Sequence, residues 1–407
     1  MNNVPQGYKQ TEAGVIPADW DFDSIANLAS ITTGDKNTQD RIDDGAYPFF
    51  VRSQTIERIN SYTYDGEAVL TAGDGVGTGK IFHFIRGKFD FHQRVYKMSE
   101  FCERLVGYYF YLYFSNHFYA RIMQMTAKSS VDSVRREMIA DMKIPLPPPP
   151  EQRAISTALS DTDALIASLD KLIAKKRDIK QATMQQLLTG KTRLPGFSGE
   201  WKVKTLGDLF TFSGGYSASR DELSTEGHCY LHYGDIHGAT KTCVDVCADY
   251  QDIPKLDIPL KRVSSNSLLK DGDVVFVDAS EDDEGTSRHV VVVNKDNLPF
   301  ISGLHTIVAK SKTDELAHEY RHYCFQTLAI RQQFLFYAVG TKVSGISKTN
   351  IPKLKLPVPS IPEQVAIAAV LSDMDTDLAE LEKQRDKTIA LKQGMMQELL
   401  TGRIRLV

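Results

Sequence analysis

Apolar residues recur at alternating steps of four and three residues near the C-terminal end of the chain. This spacing is typical of the buried face of a coiled-coil helix. The same spacing occurs 212 residues upstream, with Thr162 at one of the positions, and continues there for one further step. The two stretches therefore predict two long helices with matching apolar seams. The seam residues are Ile155, Leu159, Ile166, Leu169 and Ile173 in the first helix, and Ile367, Leu371, Met374, Leu378 and Leu381 in the second.

The ends of both helices are marked by residues that favour starting or stopping a helix. Pro150 fits the first turn, and Glu151 suits the positive end of the helix dipole. Gly190 and Gly402 are placed where a glycine can adopt the left-handed conformation that ends a helix. Each helix is thus expected to contain about 39 residues and to span roughly 58 Å.

Two questions about these helices stay open at this stage. Their seams either pair with each other within the chain or pack separately on the globular regions. The last turns contain Met184, Met395 and Met396. Methionine is common both at adaptable protein-docking surfaces and in ordinary cores, so either role is possible here.

The two helical segments belong to an internal repeat that covers the chain. Residues 150–194 and 362–406 share 23 identities over 45 ungapped positions. Weaker similarity links the regions before them, including the only two tryptophans, Trp20 and Trp201. The similarity between the two regions requires insertions totalling 31 residues in the second one. Insertions of this kind are tolerated in surface loops. The predicted organisation is globular 1–147, helical 148–195, globular 196–358 and helical 359–407.

Both globular regions are expected to be mixed α/β domains. Short apolar runs bounded by Gly, Asp and Asn predict strands. Helices are predicted over the aromatic-rich segment 104–125 and over its counterpart 316–337. The runs taken as strands are Tyr47–Val51, Ala68–Leu70, Lys80–Ile85, Val274–Val277 and Val290–Val293.

Composition excludes several classes of protein. No apolar run approaches the roughly 20 residues that span a bilayer, and the N-terminal residues do not resemble a secretory signal. Five scattered cysteines suit a reducing cytoplasm. Cys243 and Cys247 lack a second pair at zinc-site spacing, so no metal site is predicted.

Known catalytic patterns are absent from the sequence. Residues 73–80 are glycine-rich and contain a Gly-Lys pair, but a phosphate-binding loop needs Gly at Asp74 and Ser or Thr at Ile81. The acidic cluster at 281–284 has no lysine at the spacing of a metal-dependent nuclease. Because the repeat is structural while each such cluster occurs once, a binding protein without catalytic residues is predicted.

The sequence resembles the specificity subunit of type I restriction-modification enzymes. The resemblance is carried by residues 7–20, by Pro-Glu-Gln at 150–152 and 362–364, and by Leu-Leu-Thr-Gly at 187–190 and 399–402. It implies two α/β target recognition domains and two spacer helices that pair antiparallel in a pseudo-two-fold arrangement. Each domain would read one half of a bipartite, asymmetric double-stranded DNA site, while the helices would set the spacing.

The resemblance also implies the partners of the chain. Two methyltransferase (modification) subunits would carry S-adenosylmethionine, and restriction subunits would use ATP and Mg. The chain itself would carry no cofactor and act in the cytoplasm. Two alternatives stay open: a type IIB system, which uses a similar subunit with another partner, and a repeat-built adaptor that binds only protein.

Candidate DNA contacts are polar residues in loops common to the two globular regions. Arg and Gln suit bidentate contacts to guanine and adenine, whereas other polar side chains set the register on phosphates. In the first region the candidates are Arg52, Gln54, Lys80, Gln93, Arg94, Lys128, Ser129, Ser130 and Arg135. In the second region they are Tyr216, Arg220, His232, Ser287, Arg288, Lys342, Ser344 and Lys348.

The net charge of −4 is divided unevenly along the chain. The first globular region carries −2, the first helical segment +3, the second globular region −3 and the second helical segment −2. Phosphate contacts alone depend on an excess of basic residues, which none of these segments has in quantity. We therefore expect the chain alone to bind DNA weakly.

Overall fold

The computed structural model describes residues 4–125, 133–238, 242–280, 288–338 and 344–406. The chain divides into two compact units. Unit 1 consists of Met1–Asp170 and Lys383–Val407, and unit 2 consists of Lys171–Glu382. Each unit therefore contains one globular region, the beginning of the long helix that follows it and the end of the other long helix.

The elements begin and end as follows. The first half of the chain forms β1 (Tyr8–Thr11), β2 (Gly14–Pro17), β3 (Asp21–Ser24), α1 (Ile25–Leu28), β4 (Ser30–Thr33), β5 (Tyr47–Phe50), β6 (Glu57–Ile59), β7 (Tyr64–Ala72), β8 (Phe82–Phe91), β9 (Val95–Ser99), α2 (Gly107–Met125), α3 (Arg136–Ala140), β10 (Lys143–Leu146) and α4 (Pro149–Leu187). The second half forms β11 (Lys202–Thr205), α5 (Leu206–Leu209), β12 (Phe210–Gly214), β13 (His228–Leu231), α6 (Tyr233–Gly238), β14 (Cys243–Asp245), β15 (Lys255–Leu256), β16 (Val274–Val277), β17 (Ala279–Ser280), β18 (His289–Val293), β19 (Phe300–Ser302), β20 (Thr306–Ser311), α7 (His318–Cys324), α8 (Leu328–Tyr337), β21 (Ser344–Gly345), β22 (Lys355–Val358) and α9 (Ile361–Leu399).

Unit 1 is built around a six-stranded sheet with the order β4-β9-β7-β8-β5-β6. Its neighbours are antiparallel except β5 and β8, which pair in parallel. Helix α2 packs on this sheet through Phe110, Phe114 and Phe118, whose rings stack at 5.3 and 4.4 Å. Residues four apart lie on one helix face, so the aromatic run forms a continuous buried ridge.

Unit 2 repeats this plan with one interrupted strand and one added strand, β14, which pairs in parallel with β18. Its strands form sheets with the orders β12-β20-β16-β18-β14 and β15-β13-β19. β13 pairs in parallel with β19, as β5 does with β8, but the single long strand β8 is replaced by β18, a loop and β19. Asn294 organises this loop, because its buried side chain bonds the backbone of Leu269 and Leu298. The predicted class of two similar α/β domains is thus confirmed.

The two long helices each contain 39 residues. In unit 1, Lys392 bonds Asp163 at 2.6 Å and Arg385 lies 3.7 Å from Asp170. As residue numbers rise along α4 they fall along α9, so the helices are antiparallel in unit 1. They are antiparallel in unit 2 as well, where the ion pairs are Lys176–Asp377, Arg177–Glu382 and Lys180–Asp375.

The seam residues are divided between two environments. Ile155 and Leu159 are fully buried in the core of unit 1, and Ile367 and Leu371 in the core of unit 2. Their side chains therefore contribute to the globular cores and not to a helix pair alone. Further along the helices, Leu169, Ile173 and Leu378 are buried, whereas Ile166, Met374 and Leu381 are partly exposed.

The methionines of the last helical turns belong to these cores. Met184 is 5% exposed and packs in the core of unit 2, and Met395 and Met396 pack against the core of unit 1. Of the two roles considered for them, the structure supports ordinary core packing.

Several element boundaries differ from the sequence prediction; the strand predicted over Ala68–Leu70, for example, is the longer β7. α2 begins at Gly107, three residues later than expected. The helix predicted over 316–337 is two helices, because the Thr327 hydroxyl accepts a hydrogen bond from Ile330 N and starts α8 anew. β8 begins at Phe82, since Lys80 N and Ile81 N both donate to Gly77 O in a turn.

Candidate nucleic-acid interface

Loops that are distant in sequence meet on unit 1. Gly73 N donates to Arg94 O at 2.8 Å, Gln93 N to Lys36 O at 2.9 Å, and Val134 N to Gly73 O at 2.7 Å. These bonds connect the ends of β4, β7 and β8 with the segment before α3. We call the set the unit 1 loop cluster; it comprises residues 34–37, 51–55, 73–80, 92–94 and 133–135.

Two of the arginines predicted to contact DNA converge on one carboxylate in this cluster. Arg52 Nη1 donates to Asp74 Oδ1 at 2.8 Å, and Arg94 Nη1 lies 3.7 Å from Asp74 Oδ2. Both guanidinium groups keep substantial exposure, 42% and 65% of the side chain respectively. The cluster therefore presents two cations whose orientation is partly fixed.

Gln93 and His92 form the neighbouring part of the cluster. Gln93 is exposed, and its Nε2 donates to Asn37 Oδ1 at 2.6 Å. His92 is buried, and its Nδ1 accepts the backbone N–H of Arg94 at 2.9 Å. Burial lowers the pKa of His92 below its ordinary value, with a smaller contribution from the charge of Arg52. The ring is therefore neutral near pH 7 and fixes the turn that carries Arg94.

The other predicted contacts of unit 1 are spread over the same loops. Gln54 and Arg135 are exposed. Lys80 is exposed as well, and its ammonium lies 5.3 Å from the ring centre of Tyr119 on α2. The glycine-rich turn before it places Val76 fully in solvent, so an apolar side chain also faces outward here.

Several predicted contacts fall outside the described residues. They are Lys128, Ser129, Ser130, Ser287 and Lys342, together with the side chain of Ser344 at the start of β21.

The corresponding loops of unit 2 also meet. Tyr216 N donates to Ser302 O at 2.7 Å, Gly303 N to Leu231 O at 2.9 Å, and Ile346 N to Asp278 O at 2.8 Å. The unit 2 loop cluster defined by these contacts comprises residues 215–220, 232–238, 278, 303–306 and 345–348.

The predicted contacts in unit 2 have different surroundings. Arg220 Nη2 donates to Asp235 Oδ1 at 3.2 Å, and the Arg288 guanidinium donates to His237 O. Lys348 is exposed, and Tyr216 is partly buried against the core. Arg220 and Lys348 are thus the more accessible of these cations.

A cluster of histidine rings surrounds Tyr233, which sequence reasoning did not single out. The ring centre of Tyr233 lies 4.5 Å from that of His232, 5.4 Å from His305 and 6.1 Å from His237. His305 Nδ1 lies 3.2 Å from Asp278 Oδ1. Asp278 directly follows β16, and Asp74 comes two residues after the end of β7. This shared position after the central strand of each sheet could have identified both carboxylates from the sequence.

His232 is more covered than its predicted contact role implied. It is 7% exposed, and burial lowers its pKa below the ordinary value. Its Nδ1 accepts a hydrogen bond from Gly234 N at 3.0 Å. The neutral ring therefore has Nε2–H as its remaining donor, while Tyr233 and His305 are the more accessible aromatic groups beside it.

The repeated Pro-Glu-Gln motif secures the start of each long helix. In unit 1, Glu151 is 2% exposed and accepts hydrogen bonds from Trp20 Nε1 at 3.1 Å and from Arg405 Nε at 2.6 Å. Arg405 also bonds Asp19 at 2.8 Å, and this contact lowers the pKa of Asp19. We call Asp19, Trp20, Glu151 and Arg405 the unit 1 anchor.

The glutamine of the motif holds the same helix start to the globular region. Gln152 Oε1 accepts from Val106 N at 2.8 Å, and its Nε2 donates to Arg104 O and Pro147 O at 2.7 and 2.8 Å. Gln364 makes the equivalent three bonds in unit 2. Because buried backbone groups need partners, each glutamine satisfies three of them at once.

Unit 2 contains a matching anchor. Glu363 is 1% exposed and accepts from Trp201 Nε1 at 3.1 Å and from Arg193 Nη2 at 2.6 Å. The repeated tryptophan, the Pro-Glu-Gln motif and the arginine after Leu-Leu-Thr-Gly thus form one structural device, used twice.

A family model described as the type I restriction modification DNA specificity domain matches residues 17–176 and 198–391. These matches cover both globular regions and most of both long helices. The chain belongs to this family. It is a type I specificity subunit, and its two globular regions are DNA-recognition domains, as the resemblance implied. The type IIB and protein-adaptor alternatives are correspondingly disfavoured.

Individual relatives and a solved structure are similar to this chain over different shares of its length. The MjaVIII type I specificity subunit of Methanocaldococcus jannaschii is 24% identical, with 98% of this chain and 96% of the relative aligned. The EcoDI specificity subunit of Escherichia coli is 30% identical over 42% of this chain and 36% of its own. The crystal structure of a type I S subunit from M. genitalium superposes with a TM-score of 0.59 at 15% identity, covering 94% of this chain and 96% of its own.

The described residues contain neither a cluster suited to a metal ion nor a helix suited to a membrane. Among the described residues, no group of three or more His, Cys, Asp or Glu side chains is arranged to hold a metal ion, and Cys247 instead donates to Asp296 at 3.1 Å. Within the same residues, no helix is long and apolar enough to cross a membrane.

Proposed function

We propose that this chain is the non-catalytic reading subunit of a type I restriction-modification complex. Each recognition domain reads one half of a bipartite, asymmetric DNA site. The observation that carries this proposal is that the two domains share one plan but present different side chains in corresponding loop clusters. A shared plan gives two similar ways of docking on a duplex, whereas different side chains give two different half-sites.

The chemistry of the two clusters supports an asymmetric site. The unit 1 loop cluster presents Arg52, Arg94 and Gln93, side chains that suit guanine and adenine in the major groove. The unit 2 loop cluster presents Tyr233 and a set of histidines, which suit single hydrogen bonds and contacts with apolar base surfaces. The two half-sites are therefore different in sequence.

The long helices set the separation of the half-sites in this proposal. α4 and α9 are each continuous through residues of both units, and uninterrupted helices resist bending and stretching. Their exposed faces also offer docking surface for two methyltransferase subunits.

The remaining components come from partners. The methyltransferase subunits supply S-adenosylmethionine, and the restriction subunits supply ATP hydrolysis with Mg. Double-stranded DNA is the common ligand of the complex, which acts in the cytoplasm. Because the chain has a net charge of −4, the partners supply much of the electrostatic attraction to phosphates.

Reconstitution tests the proposal directly. We expect DNA exposed to the chain together with its methyltransferase subunits to be methylated at one bipartite, asymmetric motif, detected by sequencing methylated adenines. We also expect the chain alone to bind the same duplex weakly at physiological salt and the complex to bind it tightly. Tight, specific binding by the isolated chain would contradict the proposal that the partners supply much of the affinity. If neither the chain nor the complex binds DNA, a protein adaptor is favoured.

Substitution of Arg94 tests the assignment of the unit 1 loop cluster. Arg94→Ala should weaken binding of the complex to its site by about 1–3 kcal/mol if the guanidinium reads a base. Arg86→Ala is the matched control, since Arg86 is similarly exposed and pairs with Glu67 at 2.6 Å outside the cluster. Titration of a labelled duplex measures both; unchanged affinity and base preference in Arg94→Ala would remove that residue from the interface.

A further inference from the structure

The carboxylate of Asp74 occupies an unusual place for an acid in a surface that faces DNA. Its two oxygens are directed to two different arginines, with Oδ1 at 2.8 Å from Arg52 and Oδ2 at 3.7 Å from Arg94. The side chain of Asp74 is only 23% exposed. A carboxylate, which repels phosphate, therefore lies between two of the arginines of this cluster.

The backbone holds Asp74 firmly in this position. Gly73 N donates to Arg94 O, and Gly73 O accepts from Val134 N, while Asp74 itself forms a β-bridge with Ser133. The following residue, Gly75, has a φ of +85°, a conformation that glycine adopts without strain. The carboxylate is therefore fixed to the sheet, and the arginines are oriented against a fixed point.

Orientation matters for reading bases and much less for binding phosphates. A guanidinium binds guanine through two parallel hydrogen bonds to O6 and N7, which requires a defined plane. Phosphate attraction depends chiefly on charge, and an adjacent carboxylate reduces it. A carboxylate between two exposed arginines thus weakens non-specific attraction while it favours directional recognition.

We propose that Asp74 is a positioning residue that orients Arg52 and Arg94 toward guanine, so that the half-site read by the first recognition domain contains a G·C pair. The inference rests on the proposed function of this domain in reading DNA. Asp74 itself contacts no base; it acts through the two arginines.

The unit 2 loop cluster lacks this arrangement among its described residues. Asp235 pairs there with Arg220, and Asp278 with His305, so each carboxylate holds one partner. The shared carboxylate is therefore a property of the first domain, and its effects are confined to one half-site.

Three variants of the full chain, each reconstituted with the methyltransferase subunits, test the proposal. Asp74→Ala removes the fixed point but leaves both positive charges. Arg52→Lys keeps the positive charge but removes the planar guanidinium group that can form two parallel hydrogen bonds. Asp23→Asn is the matched control, because Asp23 is 21% exposed and bonds Arg104 at 2.7 Å outside the loop cluster.

Binding is measured on a panel of duplexes in which each base pair of the methylated motif is changed in turn. With the unaltered chain, we expect replacing a G·C pair of one half-site to weaken binding about 5-fold to 150-fold. Asp74→Ala and Arg52→Lys should bring that discrimination close to 1 at the same pair, while the other half-site keeps its full preference. Asp23→Asn should match the unaltered chain throughout, and thermal unfolding establishes that each variant is folded.

The outcomes separate this inference from the proposed function. A uniform loss of affinity on all duplexes, with a changed salt dependence, would assign the arginines to phosphates and overturn the proposal. Unchanged discrimination in Asp74→Ala would overturn it as well. So would a methylated motif in which both half-sites contain only A·T base pairs. A bipartite methylated motif in either case leaves the proposed function standing, whereas an unaltered complex with no sequence preference contradicts the function itself.

Discussion

Replacing Glu151 by alanine should lower the free energy of unfolding of unit 1 by about 2–3 kcal/mol. Glu151 accepts the indole N–H of Trp20, whose side chain is fully buried. A buried donor that loses its partner costs about 1–3 kcal/mol, and the paired charge of Arg405 adds to this. Arg405 keeps its bonds to Asp19, which limits the added cost.

The second anchor gives an internal comparison for this result. Glu363→Ala should cost less in unit 2, because Trp201 is partly exposed whereas Trp20 is fully buried. Glu398→Ala is a control with an exposed pair, since Glu398 bonds Arg403 at 2.9 Å with both side chains more than one-third exposed. Such surface pairs contribute about 0–1 kcal/mol.

Chemical denaturation of the full chain, followed by tryptophan fluorescence, measures these changes. Trp20 and Trp201 are the only tryptophans and report on units 1 and 2 respectively. Substitution of Trp201 by phenylalanine isolates the unit 1 signal. An effect of Glu151→Ala no larger than that of Glu398→Ala would show that the anchor does not stabilise unit 1.

Lengthening both long helices by one turn should lengthen the DNA spacer and leave both half-sites unchanged. Four residues add about 6 Å to a helix, which corresponds to at most about two base pairs at 3.4 Å each. The loop clusters that contact bases are not altered by the insertion, so the base preferences should persist.

The ion pairs between the helices define where the insertions belong. Insertions after Ala174 in α4 and after Glu382 in α9 keep Lys176–Asp377, Arg177–Glu382 and Lys180–Asp375 together in unit 2. They also keep Asp163–Lys392 and Asp170–Arg385 together in unit 1. An insertion in α4 alone must break the ion pairs of one unit or force a bulge in the helix. The chain with this single insertion therefore serves as the control.

Mapping of methylated motifs for the paired-insertion complex measures the result. The expected motif has the original half-sites and a longer spacer. The single-insertion chain should be less stable to denaturant than the paired-insertion chain, because its ion pairs cannot all form. Altered half-site bases, or an unchanged spacer in a folded, active complex, would contradict the role assigned to the helices.

The sequence by itself determined the plan of the molecule. The heptad-like steps, the prolines and the glycines after Leu-Leu-Thr-Gly predicted two helices of about 39 residues, and α4 and α9 have that length. These signals are local, because periodicity and end residues act over a few turns. The repeat itself required only comparison of the chain with itself, and it led to two similar domains.

The boundary of α8 shows where local signals were insufficient. The segment 316–337 has a helical composition throughout, yet the Thr327 side chain caps a new helix within it. A threonine inside an apolar run carries no mark that distinguishes a cap from a helix interior, since its role depends on which backbone N–H it meets.

Only the tertiary structure decided which residues act together. Glu151 was expected to interact with a helix dipole, but its partners are Trp20 and Arg405, 131 and 254 residues away. Arg52, Asp74 and Arg94 meet because paired strands bring their loops together. The sequence predicted Arg52 and Arg94 as candidate contacts from their residue type. The position of Asp74 between them depends on strand pairing, which no local pattern specifies.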